Sequence, residues 1–243
     1  MNAARHVADA LLSVLLAPAC ASCRTPLDEP TRGPVCAACW RAIVPITPPV
    51  CDRCGDPLPS WRTTSVRQSR CPRCRRRPGH VSRSRAIGSY DGTLRAVIHA
   101  LKYEGRQRLA VPLASLMIRS AADILEGADL VVPVPLHRSR QRARGFNQAA
   151  EIARHLGLPL RHALRRVRRT PSQTDLPAAQ RHANVRQAFA IARRPQVRGA
   201  VVVLVDDVST TGATLDACAK VLLESGAREV RAITAARVVS RPR

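Results

Sequence analysis

Aromatic residues are scarce in this sequence of 243 residues, making up 2% of it. So few rings leave few stacking platforms for nucleobases. A long apolar run is also missing at the N-terminus, where Asp9 interrupts a segment that is too short to span a bilayer. This argues against a secretion signal or an anchor. We expect a cytoplasmic protein without membrane insertion, beginning with an amphipathic helix that has Val7, Leu11, Leu12 and Leu15 on one face.

Negative charge is scarce relative to positive charge. The sequence has 17 Asp and Glu residues against 40 Lys and Arg, which gives a formal net charge of +23, and Lys102 and Lys220 are its only lysines. This balance favours an anionic partner, with nucleic acid as one candidate. A coding bias of the source genome toward arginine is the alternative, so charge alone leaves nucleic-acid binding open.

Cysteine is concentrated before residue 75, where eight of the nine cysteines form four C-x-x-C pairs. Each pair offers two thiolates, so four pairs can close one or two structural zinc sites. The simplest grouping is sequential, although an interleaved one stays open. Disulfides or a redox pair are the alternative reading, and Cys218 is expected to be a core residue. The candidate zinc ligands are Cys20, Cys23, Cys36, Cys39, Cys51, Cys54, Cys71 and Cys74.

The rest of the sequence, from about residue 86, alternates apolar strands with periodic helices, one of which is expected to span about residues 110–125. This alternation predicts an α/β domain with a parallel sheet flanked by helices. We therefore divide the chain into residues 1–85, an N-terminal helix and a cysteine-rich double zinc ribbon, and residues 86–243, the α/β domain. Ligands of such sheets bind at the carboxyl ends of the strands.

Two adjacent carboxylates, Asp206 and Asp207, follow the apolar run 201–205. We expect the strand to end at Val205, so that both carboxylates turn into one opening. At a separation of ~7 Å and an effective dielectric of about 20 they would repel each other by on the order of 2 kcal/mol. A helix N-cap with a solvated neighbour is the alternative explanation.

The segment that follows, residues 209–214, reads STTGAT and precedes a predicted helix. Four hydroxyl side chains and the free N–H groups of a helix N-terminus favour a phosphate. The glycine patterns of nucleoside triphosphatases and of dinucleotide sites are absent from this segment. The pattern therefore points to one phosphate beside a polyhydroxylated group that two carboxylates hold.

The stretch VVVLVDDVSTTGAT resembles the phosphoribosyl diphosphate (PRPP) motif of type I phosphoribosyltransferases. Together with HALKYEGR, VPVPLHRSRQRARGFNQA and PSQTDLPAAQRHANVRQAF, it makes the chain similar to the ComF family of competence proteins, in which a zinc ribbon precedes a phosphoribosyltransferase-like domain. The resemblance implies a type I phosphoribosyltransferase fold for residues 86–243. It also implies that Asp206 and Asp207 hold the ribose hydroxyls. The 5′-phosphate would be held by Ser209, Thr210, Thr211, Gly212, Ala213 and Thr214.

Other candidate ligand-binding residues lie outside this motif. The apolar strand before PVPLHRSR is expected to bring His137, Arg138 and Arg140 to the same sheet edge, where they suit the diphosphate. A loop histidine without a role is the alternative for His137. Lys102 marks a position where a compact positive charge is wanted, or else a solvated helix end.

The segment from 170 to 189 resembles the flexible hood of glutamine PRPP amidotransferases. The resemblance makes Arg181 and Arg186 candidates for phosphate contact, with ordinary solvated arginines as the alternative. Mg²⁺ would accompany PRPP and be held mainly by ribose hydroxyls and diphosphate oxygens.

Two functions are consistent with these residues. In the first, a PRPP-binding protein acts in DNA uptake and natural transformation and contacts single-stranded DNA. In the second, an active phosphoribosyltransferase uses an unknown nucleobase or amine acceptor and has no role in DNA handling. The sequence does not rank binding against catalysis. A further hypothesis is that the ribbon docks a protein partner of the DNA-uptake machinery.

Overall fold

The computed structural model describes residues 3–59, 69–168, 187–192 and 196–239 of the chain. Within these ranges the chain forms a cysteine-rich N-terminal part and an α/β part with a parallel sheet. No helix in the described ranges combines the length and apolar character needed to cross a bilayer. The division of the chain at residues 85 and 86 stays a prediction.

Helix α1 (Ala3–Leu16) opens the chain, as the sequence predicts. The predicted apolar face does not pack inward, since Val7, Leu11 and Leu15 are all more than half exposed. Asp9 is buried instead, and its Oδ1 accepts the backbone N–H of Thr31 at 2.8 Å. A hydrogen bond to a backbone N–H stabilises a buried carboxylate, which the apolar periodicity of the helix does not reveal.

The cysteine-rich part contains the same local structure twice. Helix α2 (Ala37–Arg41) begins directly after Cys36, and helix α3 (Pro72–Arg76) begins directly after Cys71. Earlier in each copy, an isolated antiparallel bridge closes the turn that contains the first C-x-x-C pair. The bridge joins Ala19 to Pro26 in the first copy and Val50 to Pro57 in the second. The two copies are therefore two ribbons of the same design.

The α/β part alternates strands and helices along the chain. Its elements are β1 (Ser84–Ser89), α4 (Gly92–Tyr103), α5 (Ala110–Ser120), α6 (Ala122–Leu125), β2 (Leu130–Pro133), α7 (Arg138–Arg144), α8 (Gln148–Ala153), β3 (Leu164–Arg166), β4 (Phe189–Ile191), β5 (Val201–Ser209), α9 (Ala213–Glu224) and β6 (Glu229–Arg237).

Four of these strands form one parallel sheet in the order β1, β6, β5, β2. β3 and β4 form a separate antiparallel pair. The parallel sheet confirms the predicted fold class. A strand covered on both faces needs a continuous apolar run, and the run 201–205 of β5 is buried throughout.

Helices cover the sheet on both faces, and the sheet separates two apolar clusters. One cluster joins Val203 and Val205 to the helices α4, α5 and α8. The other joins Val202 and Leu204 to α9 and to the pair β3 and β4. Successive side chains of β5 thus alternate between the two faces, as the pleat of a strand requires.

Two element boundaries differ from the prediction. The expected single helix over 110–125 is interrupted at Ala121, whose φ of −144° is not helical. The strand expected to end at Val205 continues to Ser209, because 206–209 remain in register with 234–237 of β6. This extension changes the directions of the two carboxylates at its end.

Candidate functional site

The eight N-terminal cysteines group sequentially into two clusters of four, the simpler of the predicted groupings. None of the nine cysteines forms a disulfide. Within each cluster the four sulfur atoms lie within 4.8 Å of one another. The first cluster holds Cys20, Cys23, Cys36 and Cys39, and the second holds Cys51, Cys54, Cys71 and Cys74.

The spacing of the sulfur atoms fits a tetrahedral zinc ion. Zn–S bonds of about 2.3 Å place two sulfur ligands about 3.8 Å apart. The Sγ atoms of Cys23 and Cys36 lie 3.8 Å apart, and those of Cys54 and Cys71 lie 3.7 Å apart. The Thr25 side-chain hydroxyl and its backbone N–H lower the pKa of Cys23 to about 6, which favours the thiolate that a metal ligand needs. Both clusters therefore have the geometry of structural zinc sites.

A buried ion pair connects the second cluster to the sheet. Arg237, the last residue of β6, donates from Nε to Asp56 Oδ1 at 2.9 Å, and both side chains are almost fully buried. Asp56 follows Cys54 closely and also accepts the backbone N–H of Cys51 through its own carbonyl at 2.8 Å. The second cluster is thus fixed at the carboxyl end of β6.

Asp206 and Asp207 lie near the carboxyl end of β5, on opposite faces of the strand. Asp207 is buried and forms an ion pair with Lys102 of α4, with Nζ and Oδ2 2.9 Å apart. Asp206 lies on the other face, where Arg166 of β3 and Cys218 of α9 are near enough to interact with its charge. The strand does not end at Val205 as expected, so the two carboxylates leave β5 from opposite faces, although the charges of Asp207 and Lys102 still act on Asp206.

The two carboxylates have different electrostatic environments. Burial, and secondly the charge of Asp207, raise the pKa of Asp206 to about 7. Burial lowers the pKa of Lys102, but the charges of Asp207 and Asp206 outweigh that effect and the pKa lies above its usual value. Lys102 is therefore a charged, mostly covered partner of the carboxylates rather than a solvated helix end. Asp206 changes its charge near neutral pH.

The hydroxyl-rich segment forms the turn between β5 and α9. Ser209 ends β5, and Gly212 has the left-handed φ of 79° that an L side chain rarely adopts. Thr211 Oγ1 accepts the backbone N–H of Ala213, the first residue of α9, at 3.3 Å. Helix α9, which has 12 residues, begins directly after this turn. Its free N-terminal N–H groups and the positive end of its dipole therefore face the turn. We name residues 209–214 the phosphate loop, after the ligand that the sequence predicts for this segment.

His137, Arg138 and Arg140 lie at the start of α7, after β2. His137 caps this helix, because its Nδ1 accepts the backbone N–H of Ser139 at 3.3 Å. Arg140 is near enough to Arg166 that, after burial, its charge lowers the pKa of Arg166. Two guanidinium groups thus approach each other close to Asp206.

Two residues at this edge were missed by sequence reasoning. Arg166 belongs to an arginine run of irregular appearance, and its guanidinium lies over the ring of Phe189 at 5.3 Å. Tyr103 follows Lys102 and is 67% exposed. The guanidinium of Arg144 lies over its ring, 5.1 Å from the ring centre. The scarcity of aromatic residues was the available signal for Tyr103. Arg181 and Arg186 fall outside the described residues.

Comparisons with known proteins agree with this architecture. A double zinc ribbon domain matches residues 11–75, and a phosphoribosyl transferase domain matches residues 142–242. The chain is 32% identical over 226 residues to the "DNA utilization protein YhgH" of Salmonella typhimurium strain LT2, covering 87% of this chain and 93% of that protein. It is 30% identical over 223 residues to the "Competence protein F" of Haemophilus influenzae, with the same coverage. The chain belongs to the ComF family.

A more distant ComF relative is the "Competence protein ComFC" of Bacillus subtilis, 28% identical over 202 residues, or 79% of each chain. Family membership gives this chain a type I phosphoribosyltransferase domain preceded by a double zinc ribbon. The phosphate loop and both carboxylates lie inside the matched phosphoribosyl transferase region, whereas Lys102 and His137 lie before it.

Proposed function

We propose that this ComF-family protein binds PRPP with Mg²⁺ at the carboxyl edge of its sheet and acts in DNA uptake and natural transformation. The observation that supports the binding site best is the placement of the Lys102–Asp207 ion pair beside the phosphate loop, with Asp207 buried near the end of β5 and Lys102 partly buried. Carboxylates at this position suit ribose hydroxyls, and the N-terminus of α9 suits a phosphate.

The roles of the site residues follow from their positions. In this proposal Asp206 and Asp207 hold the ribose hydroxyls from the two faces of β5, and Lys102, with Nζ 2.9 Å from Oδ2 of Asp207, fixes that carboxylate in place. The phosphate loop holds the 5′-phosphate. His137, Arg138 and Arg140 at the start of α7 bind the diphosphate, and in the same proposal Arg181 and Arg186 close over it. Mg²⁺ would bind oxygens of the diphosphate and the ribose rather than a protein cage.

We also propose one Zn²⁺ in each cysteine cluster and a cytoplasmic location. Zinc supplies the tetrahedral crosslink that a segment with few apolar residues needs in order to fold. Cysteines that bind zinc must stay reduced, as they do in a reducing compartment, so the zinc proposal supports the location.

The PRPP proposal predicts a specific loss of binding. Replacing Asp206 and Asp207 by Asn should weaken Mg²⁺–PRPP binding by roughly tenfold or more, because charge-assisted hydrogen bonds to the ribose hydroxyls are lost. Asp129→Asn is the matched control, since that carboxylate accepts the backbone N–H of Val201 at the opposite end of β5. Titration calorimetry measures both. A wild-type protein that does not bind PRPP would contradict the proposal.

Contact with single-stranded DNA is supported by the relatives' names and by the charge of this chain. Helix α7 carries four arginines in seven residues and lies beside the exposed ring of Tyr103. Binding should weaken steeply with salt, since each phosphate contact releases counterions, and Arg142→Gln should reduce the salt slope by roughly 0.7. Fluorescence anisotropy at several salt concentrations measures this. Affinity that does not depend on salt would count against DNA contact.

Catalysis is the second candidate function, and the pKa of Asp206 favours it. A carboxyl group with a pKa of about 7 can accept a proton at neutral pH. In such a reaction the acceptor nitrogen bonds to C1 of the ribose, the C1–O bond breaks, diphosphate leaves with the electron pair, and the acceptor's proton passes to a base. Diphosphate release measured with and without single-stranded DNA tests this, and absence of turnover with intact PRPP binding would favour a binding protein.

A further inference from the structure

A cavity separates the second cysteine cluster from the phosphate loop. Its volume is about 170 Å³, whereas a single water molecule needs only about 10–15 Å³. The ribbon side of the wall includes Arg53, Arg73 and Arg77, and the opposite wall includes Ser209, Thr211 and Gly212. Arginines of one module thus face the phosphate loop of the other.

Two buried polar atoms at this cavity have no hydrogen-bond partner among the described residues. They are Oγ of Ser209 and Nη2 of Arg237, which belong to side chains that are 4% and 2% exposed. Both residues line the cavity. Buried donors without partners are costly in a folded protein, and a group with several acceptor oxygens would relieve that cost.

The charges around the cavity are partly paired. Arg237 is neutralised by Asp56, and Arg73 lies with Nη2 3.6 Å from Cys54 Sγ, where it offsets the charge of the thiolates. The carboxylate of Asp216 also lines the cavity, but His80 holds it through the backbone N–H and through Nδ1 at 3.2 Å.

Arg53 and Arg77 supply the remaining positive charge. Arg53 donates to two neutral groups, the carbonyl oxygens of Val81 and Arg77, both at 3.1 Å. These bonds hold the guanidinium at the cavity wall without cancelling its charge. Both arginines belong to the second ribbon and its connection to β1, which lies outside the region that matches the phosphoribosyl transferase domain.

We propose that this cavity binds a phosphate monoester between the two modules, with the phosphate loop on one side and Arg53 and Arg77 on the other. The inference rests on the proposed function, because the same loop is assigned there to the 5′-phosphate of PRPP. The second ribbon would then form part of the ligand site. The same chemistry is offered by a sugar 5′-phosphate and by the 5′-terminal phosphate of a DNA strand.

The test compares two double variants with the same loss of charge. Arg53→Gln with Arg77→Gln removes the two cavity arginines. Arg75→Gln with Arg76→Gln removes two exposed arginines of α3 that do not line the cavity. Zinc content is measured for both, and two zinc ions per chain show that the ribbons are intact.

The probe is ribose 5-phosphate, titrated by calorimetry at constant ionic strength, with Mg²⁺–PRPP in parallel. We expect the cavity variant to bind ribose 5-phosphate roughly tenfold more weakly, as expected for lost charge-assisted hydrogen bonds, and the α3 variant to stay within about twofold of wild type. Oligonucleotides with a 5′-phosphate or a 5′-hydroxyl identify the source: a phosphate-dependent gain that the cavity variant loses assigns the site to DNA ends as well.

Equal weakening in both variants, or none in either, would overturn the inference while leaving PRPP binding by the wild type intact. A wild-type protein that binds neither ribose 5-phosphate nor PRPP would instead overturn the proposed function together with this inference. A cavity variant with less than two zinc ions per chain is replaced by Arg77→Gln alone, compared with Arg76→Gln, and the same criteria apply.

Discussion

The first cysteine cluster packs into the main apolar core, and the second forms a small cluster of its own. Cys20 and Cys39 belong to the core that contains α4 and α5. The second cluster has Leu58 as its partly buried apolar neighbour from outside the cysteines. It is held by polar contacts instead, chiefly the Arg237–Asp56 pair and the hydrogen bond from Arg85 Nη1 to the Asp52 carbonyl at 3.1 Å.

This difference arises although the two ribbons have matching internal geometry. The Cys20 N–H donates to the Thr25 carbonyl and the Cys51 N–H to the Asp56 carbonyl, both at 2.8 Å. The N–H groups of Cys36 and Cys71 each donate to a cysteine sulfur at 3.3 Å. Ligand geometry is therefore equal, and the neighbours distinguish the clusters. The first cluster is built into the core, and the second lies beside the phosphate loop.

The largest expected loss of stability comes from breaking the polar attachment of the second cluster. Asp56→Asn leaves the buried guanidinium of Arg237 without a counter-charge, which should lower the free energy of unfolding by about 3–5 kcal/mol. Arg24→Gln breaks the exposed pair of the first ribbon with Glu104 and should cost less than about 1 kcal/mol. Urea unfolding monitored by circular dichroism measures both. Equal costs would contradict the distinction between the two attachments.

A smaller effect concerns the pH dependence of stability, to which one carboxylate in each region contributes. The backbone N–H of Thr31 is the main cause that lowers the pKa of Asp9, whereas burial raises that of Asp206 to about 7. Asp206 binds more protons in the folded state than in the unfolded state between about pH 4 and pH 7. Its ionisation therefore lowers stability as pH rises through that window, by up to about 1.4 kcal/mol per pH unit. The contribution of Asp9 is present above pH 3.8 and is lost as pH falls through its lowered pKa.

Asn variants distinguish the contributions of Asp206 and Asp9 to the pH dependence of stability. Asp206→Asn should flatten the fall in stability between pH 4 and pH 7 and leave the acid limb unchanged. Asp9→Asn should change only the acid limb, below about pH 4. Thermal unfolding over pH 3–8 measures both curves. A wild-type curve that is flat between pH 4 and pH 7 and matches that of Asp206→Asn would contradict the raised pKa of Asp206.

Sequence reasoning predicted the parallel sheet, the turn and helix that follow β5, and the sequential grouping of the cysteines as the simplest one, because each depends on local patterns. Apolar runs identify buried strands, and the C-x-x-C spacing identifies ligand pairs. The extension of β5 to Ser209 was not predicted, because it depends on pairing with β6, and strand register is not visible in one segment. The direction of Asp206 depends on that extension.

The docking of the second ribbon onto the sheet could also not be predicted from the sequence. Asp56 and Arg237 are 181 residues apart, and neither position shows a local pattern that predicts burial. A buried ion pair of this kind is recognised only once the fold brings the two residues together. The same holds for Lys102 and Asp207, although the rarity of lysine marked the first of them.

The central claim is that the second cysteine cluster and the phosphate loop form one ligand site. Zinc release from the wild-type protein to a chromophoric chelator, with and without Mg²⁺–PRPP, tests it most directly. A ligand held between the loop and the second ribbon stabilises that ribbon, so PRPP should slow the release of one of the two zinc ions and leave the other unchanged. The protection should disappear in Arg53→Gln with Arg77→Gln. Equal release rates for both ions with and without PRPP, at concentrations where PRPP is bound, would contradict the claim.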